Sequence, residues 1–156
     1  MKTYWLDVNG ASLNILEDGE GDIALVFLHY WGGSSKTARD VIEQLSPSFR
    51  CIAFDQRGWG GSAKTGDFTL DAYAADTAAL IAKLGLRRYV LVGHSMGGKI
   101  AQLLAATRPD GLVGLVLIAP APPVPVLVPE EQREMMLESY QAREGVGMAL
   151  TILTER

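Results

Sequence analysis

A chain of 156 residues, 48% of them hydrophobic and 21% charged, has the length and composition of one globular domain. Its formal net charge of −4 and its lack of any basic run argue against a nucleic-acid partner. The single cysteine, Cys51, stands in an apolar run and predicts a buried thiol in a reducing cytoplasm. The N-terminus lacks the apolar core of a signal peptide, and prolines interrupt the uncharged stretch 111–128, so we predict no membrane span.

The chain opens with the pattern of a β-hairpin, because residues 6–16 hold two alternating runs around Asn9 and Gly10. An uninterrupted apolar run follows at residues 23–28, which is typical of a strand buried on both faces. A helix is predicted over residues 36–45, with a serine at position 34 or 35 as its N-cap.

From residue 50 onward, strand and helix patterns alternate. Strands are predicted over 50–54, 88–92 and 112–119, and helices over 70–84, 98–106 and 130–144. This alternation predicts a mostly parallel sheet with right-handed crossovers and helices on both faces. The sites of such sheets lie at the carboxyl ends of the strands. We therefore expect His29, Asp55 and Ser95, each just past a strand, to share one rim.

The most specific motif is the G-x-S-x-G pentapeptide at residues 93–97, which stands between a predicted strand and a predicted helix. In that setting it predicts a nucleophile elbow, with the Ser95 hydroxyl exposed above the sheet. Such a serine needs a histidine base and a carboxylate, and chains built on this elbow supply them after the serine. The two histidines, His29 and His94, both precede Ser95. We therefore expect the acid and the histidine of the triad to lie outside this chain.

Three motifs in this order, at residues 29–33, 55–62 and 93–97, resemble those of the α/β-hydrolase family. The resemblance runs over residues 3 to 156. It implies an α/β-hydrolase fold that is truncated after the sixth strand and the start of the cap. The core of six strands would occupy residues 1–128, and residues 129–156 would begin the helical cap.

The resemblance also implies roles in the site. Ser95 would be the nucleophile, and the backbone N–H groups of Met96 and Trp31 would form the oxyanion hole. Tyr30 stands where the family usually has glycine, which leaves open whether Trp31 or Tyr30 supplies the second donor.

Three further residues are candidates for the pocket or its supporting shell, together with Tyr30: His29, His94 and Asp55. The side chain of His94 is expected to point away from the substrate, since it occupies an x position of the elbow. A substitute triad of Ser95, His29 and Asp55 is an alternative. It is disfavoured because a residue that anchors the oxyanion loop rarely also faces the nucleophile.

A serine at the elbow implies a hydrolase of small carboxylic esters that works through an acyl-enzyme, in the esterase-like branch of the family. Two alternatives stay open: a carbon–carbon bond hydrolase or perhydrolase of the same fold, and a non-catalytic truncated or split fragment. No cofactor or metal motif is present in the sequence. The expected partners are a small ester or acyl substrate and, to cover the sixth strand, a complementary C-terminal segment or a second copy.

Overall fold

A computed structural model describes residues 1–124 and 129–134. The chain divides into two compact units, Met1–Pro123 and Val124–Arg156. In the second unit residues 130–134 are helical. The rest of the helix predicted over 130–144 lies outside the described residues, and the assignment of 129–156 as a cap stays a prediction.

The described residues form one six-stranded sheet in the order β1-β2-β4-β3-β5-β6. Strands β3, β4, β5 and β6 run parallel to one another, whereas β1 pairs antiparallel with β2, and β2 pairs antiparallel with β4. The strands are β1 (Lys2–Val8), β2 (Ala11–Asp18), β3 (Ala24–Leu28), β4 (Arg50–Phe54), β5 (Tyr89–His94) and β6 (Leu112–Ile118). The predicted fold, a mostly parallel sheet with helices, is therefore confirmed.

Three α-helices connect the strands within the described residues: α1 (Arg39–Leu45), α2 (Leu70–Lys83) and α3 (Met96–Ala106). A short 3-10 helix, Ser35–Ala38, precedes α1, so the helix predicted over 36–45 is split in two. Ser34 stands at its N-cap position without a capping hydrogen bond from its side chain. In α2 the cap is formed, because the Thr69 hydroxyl accepts the N–H of Ala72 at 3.2 Å.

The helices cover both faces of the sheet. Side chains of α2 and α3, such as Leu80 and Ile100, pack with one hydrophobic cluster, and Ile42 of α1 packs with a second cluster that contains Cys51. Cys51 is fully buried, as its position in an apolar run predicts. Burial on this scale is the main favourable term in folding.

Strand β6 is the least covered strand. Among the described residues it pairs only with β5, and hydrophobic side chains on both of its faces are exposed. Leu115 and Leu117 are 39% and 38% exposed on one face, and Val116 and Ile118 are 46% and 48% exposed on the other. An apolar edge of this kind is a template for pairing with another chain.

We expect the 156-residue chain not to persist as a bare monomer, because pairing would bury the β6 edge and its two apolar faces. Sedimentation and native mass spectrometry at micromolar concentration should show an assembly or a bound complementary segment. The double substitution Val116→Lys and Ile118→Lys should weaken that association. Trp5→Lys, on the exposed β1 edge, is the matched control and should leave it unchanged. A monodisperse 16.8 kDa species with a cooperative thermal transition would contradict the expectation.

Candidate active site

The three candidate side chains at the strand ends do share one rim. His29, Asp55 and Ser95 follow β3, β4 and β5 directly. Because β3 lies between β4 and β5, His29 stands between the other two positions in the sheet. The prediction that these residues lie at one edge is confirmed.

Ser95 occupies a sharp turn between β5 and α3. It is the only residue between them, since β5 continues through His94 and α3 begins at Met96, two residues earlier than predicted. The φ and ψ angles of Ser95 are 52° and −111°, a backbone conformation that residues other than glycine rarely adopt. Strain of this kind is concentrated at functional sites.

The elbow is held by close packing against the backbone. A Cβ atom at Gly97 would lie 2.2 Å from the carbonyl oxygen of Leu28 and 2.7 Å from that of His29. The Ser95 N–H donates to the carbonyl of Ile118 at 3.0 Å, and the Ser95 carbonyl accepts the N–H of Ala121 at 3.0 Å. Glycine at position 97 therefore lets α3 approach the end of β3, while the end of β6 holds Ser95 in place.

The loop after β3 contains a tight turn. The Gly33 N–H donates to the Tyr30 carbonyl at 3.0 Å, and Gly32 has a φ of 82°, which favours glycine. Trp31 is therefore the second residue of this turn. Trp31 and Met96 line the same cavity, whereas the ring of Tyr30 packs edge-on against His94 at 5.0 Å. This placement favours Trp31 over Tyr30 as the second N–H donor of the predicted oxyanion hole, beside Met96.

His29 fastens that turn to the loop after β4. Its Nδ1 donates to the Tyr30 carbonyl at 2.7 Å, and its Nε2 accepts the Gln56 N–H at 3.0 Å. This pattern requires the neutral ring with the proton on Nδ1. Burial lowers the pKa of His29, against smaller opposing contributions from the bond to Tyr30 and the charge of Asp55.

The Asp55 carboxylate joins three segments. It accepts the N–H of Ser35 at 2.6 Å, the N–H of Gly61 at 2.7 Å and the side-chain amide of Asn14 at 2.9 Å. Burial would raise the pKa of Asp55, but these hydrogen bonds outweigh it and hold the pKa below its usual range.

The substitute triad of Ser95, His29 and Asp55 is not assembled. Both ring nitrogens of His29 bond to backbone groups, and the hydrogen bonds of the Asp55 carboxylate go to other partners. Two residues of this network, Gln56 and Asn14, were not predicted as site residues from the sequence. Gln56, which also donates from its side chain to the His29 carbonyl at 2.9 Å, lies inside the motif at 55–62 and could have been noticed there. Asn14 is 41 residues from Asp55, and no local signal marks it.

His94 belongs to a different cavity from Met96. With Val116 and Ile118 it lines a groove of about 270 Å³ on the face that α1 packs against.

Among residues 1–124 and 129–134, no cluster of three His, Cys, Asp or Glu side chains could hold a metal ion. Within the same residues, no helix is both long and apolar enough to span a bilayer.

The protonation of His29 has a consequence for stability. In the unfolded chain His29 titrates near the ordinary pKa of 6.5, and in the folded chain its pKa is lower. At pH values between these two pKa values, the unfolded state therefore binds more protons than the folded state. We therefore expect the stabilising contribution of neutral His29 to be complete above about pH 6.5. It should be lost as the pH falls from there through the folded pKa.

Thermal unfolding measured between pH 7.5 and pH 5 checks this expectation. His29→Gln should flatten the decline, since an amide keeps an acceptor for the Gln56 N–H and does not titrate. An equal decline in the variant and the unmodified protein would mean that other groups are responsible.

The model of a known protein family matches residues 23–147 of this chain, and its description is "alpha/beta hydrolase fold". That match covers most of the chain. The chain belongs to the α/β-hydrolase family. The resemblance carried by the three motifs is therefore confirmed.

Curated relatives of this α/β-hydrolase chain carry esterase and lipase names. This chain is 36% identical over 104 residues to a pimeloyl-[acyl-carrier protein] methyl ester esterase of Yersinia pseudotuberculosis. The match covers 67% of this chain and 39% of that protein. It is 39% identical over 114 residues to the mouse sn-1-specific diacylglycerol lipase ABHD11, covering 71% of this chain and 37% of the lipase. The chain thus spans about two fifths of the length of these relatives.

Solved α/β-hydrolase structures match in fold. A hydrolase from Pseudomonas aeruginosa PA01 is 28% identical, with a TM-score of 0.81 over 97% of this chain and 57% of that one. An epoxide hydrolase from Vigna radiata is also 28% identical, with a TM-score of 0.72 over 81% of this chain and 39% of that one. Enzymes with different names share this fold, so the fold by itself does not define the activity, and the residues of the site do.

Proposed function

We propose that this α/β-hydrolase chain carries the nucleophile of an ester hydrolase, and that the nucleophile is Ser95. The observation that carries the proposal is the strained backbone of Ser95 at the junction of β5 and α3, directly before the first residue of a helix. The esterase and lipase names of two relatives support an ester as the substrate. Serine at this position provides the hydroxyl that acyl transfer needs.

The proposed mechanism follows from the groups around the elbow. The Ser95 Oγ attacks the acyl carbon of a small carboxylic ester, and a base takes its proton. The tetrahedral oxyanion then accepts hydrogen bonds from the N–H groups of Met96 and Trp31. The Met96 amide suits this role because the first N–H groups of a helix have no acceptor within it and lie at the positive end of its dipole. The protonated base gives its proton to the departing alcohol. The same base then takes a proton from water, which attacks the acyl-enzyme, releases the carboxylic acid and restores the Ser95 hydroxyl.

We further propose that the base and its carboxylate partner come from outside this chain. Of the two histidines in the sequence, His29 has both ring nitrogens bonded to the backbone, and His94 lines the groove on the α1 face. The catalytic base of this mechanism must reach Ser95 by a hydrogen bond, and neither ring is arranged to do so.

Labelling with a fluorophosphonate tests the nucleophile, because the reagent requires an activated serine. In a longer protein that contains this chain with the proposed base and acid, peptide mass spectrometry should find the label on Ser95. Ser95→Ala should remove the label. Ser48→Ala, a matched change at an exposed position, should retain it. A label on Ser62 or Ser139, with Ser95 unmodified, would overturn the assignment.

A further inference from the structure

A second inference rests on the proposed function and concerns what the site binds. A cavity of about 560 Å³ lies beside the elbow, within the range typical of small-molecule sites. Most of its wall comes from the connection between β4 and α2 and from the first turns of α2. The lining includes Trp31, Trp59, Lys64, Phe68, Tyr73 and Met96.

The aromatic part of the wall is held by mutual contacts. The Trp59 indole N–H donates to the Tyr73 hydroxyl at 3.3 Å, and the rings of Trp31 and Trp59 meet edge to face at 5.2 Å. Phe68 lies against Gly58, where a Cβ atom would be 2.8 Å from the Phe68 ring. Such a surface suits a flat or extended hydrocarbon group, which would gain from burial against these rings.

Buried polar contacts fix the connection that carries this wall. Arg57 makes two hydrogen bonds to Asp76 of α2, from Nε at 2.8 Å and from Nη2 at 2.7 Å, and both side chains are buried. Arg57 also donates to the carbonyl of Asn9 at 3.1 Å. The Ser62 hydroxyl accepts the N–H of Asn14 at 2.9 Å, which ties the same connection to β2. A wall that is already held in place costs little entropy to organise around a ligand.

Among the described residues that line the cavity, Lys64 is the only charged one. Its side chain is exposed, and it takes part in none of the ion pairs found among the described residues. A cation beside an aromatic wall attracts a ligand that combines a hydrocarbon body with a negative end.

We propose that this cavity binds the larger of the two groups that the ester bond joins. This group is an aryl or extended hydrocarbon that ends in a carboxylate. The rings of Trp31, Trp59 and Phe68 contact the hydrocarbon, and Lys64 pairs with the carboxylate. Specificity is therefore set largely by the β4–α2 connection.

The test uses 4-phenylbutanoate and its neutral amide, 4-phenylbutanamide, as probes. The 156-residue chain is used for this test, because two of its three tryptophans line the cavity and their fluorescence reports binding without any turnover. Trp5→Phe removes the signal of the third, which is 62% exposed on β1. In this background we expect saturable binding of both probes, with the carboxylate roughly two- to fivefold tighter, as for an exposed ion pair. The preference should shrink in 1 M salt.

Lys64→Gln should make the two affinities equal, and Lys36→Gln, a matched change at another exposed lysine, should leave the preference intact. No saturable binding, equal affinities in the unmodified lysine background, or a preference that survives Lys64→Gln would each overturn the proposal. Since the probes are not esters, this result is independent of Ser95. Labelling of Ser95 without probe binding would refute the cavity proposal and leave the proposed function standing.

Discussion

In a longer protein that contains this chain together with the proposed base and acid, replacing Ser95 with alanine should lower kcat for ester hydrolysis by about four to six orders of magnitude. The substitution removes the attacking oxygen and leaves the N–H groups of Met96 and Trp31 in place. KM should change little, because the hydroxyl contributes mainly to the transition state. Turnover of p-nitrophenyl acetate, measured against a buffer blank, gives the comparison.

Two controls make this result specific. Ser48→Ala should keep the kcat of the unmodified protein. Residues 1–156 on their own should be about as slow as the Ser95→Ala variant, since neither His29 nor His94 is arranged as a base. Turnover of several per second by residues 1–156 that disappears in Ser95→Ala would contradict this expectation and indicate His29 as the base.

The second large effect is expected from Gly97→Ala. The added Cβ would lie 2.2 Å from the Leu28 carbonyl oxygen and 2.5 Å from its carbon, and these backbone atoms belong to the end of β3. Neither α3 nor β3 can move without disturbing the elbow. We expect a loss of about 3 kcal/mol or more in the free energy of unfolding. This corresponds to a fall in Tm of roughly 6 to 12 °C.

Thermal unfolding of the purified protein measures this effect, and Gly61→Ala is the matched control. At Gly61 a Cβ atom would be 3.4 Å from Asn14, which is an ordinary contact. That change should therefore cost less than about 1 kcal/mol. Equal Tm values for Gly97→Ala and the unmodified protein would show that the elbow tolerates a side chain, against the packing described above.

The sequence by itself determined the elements whose signals are local. The asparagine–glycine pair at residues 9 and 10 predicts the hairpin turn, and both residues have left-handed φ angles, 46° and 74°. The strand predicted over 50–54 matches β4 at both ends. The motif at 93–97 predicts the elbow because strand, turn and helix signals follow one another directly over residues 88–106. Patterns of this kind depend on neighbouring residues alone, which is why they can be read without a structure.

The tertiary structure alone decided which distant residues meet. Asn14 bonds to Asp55, and Trp31 packs on Trp59, because the strand order brings β2, β4 and β3 side by side. The same packing directs both ring nitrogens of His29 to backbone groups. From the sequence, its place at the rim was compatible with a role as the base of a substitute triad. Hydrogen bonds and ring contacts act over a few ångströms in space. Their partners follow from how the layers pack, and spacing along the chain does not encode that packing.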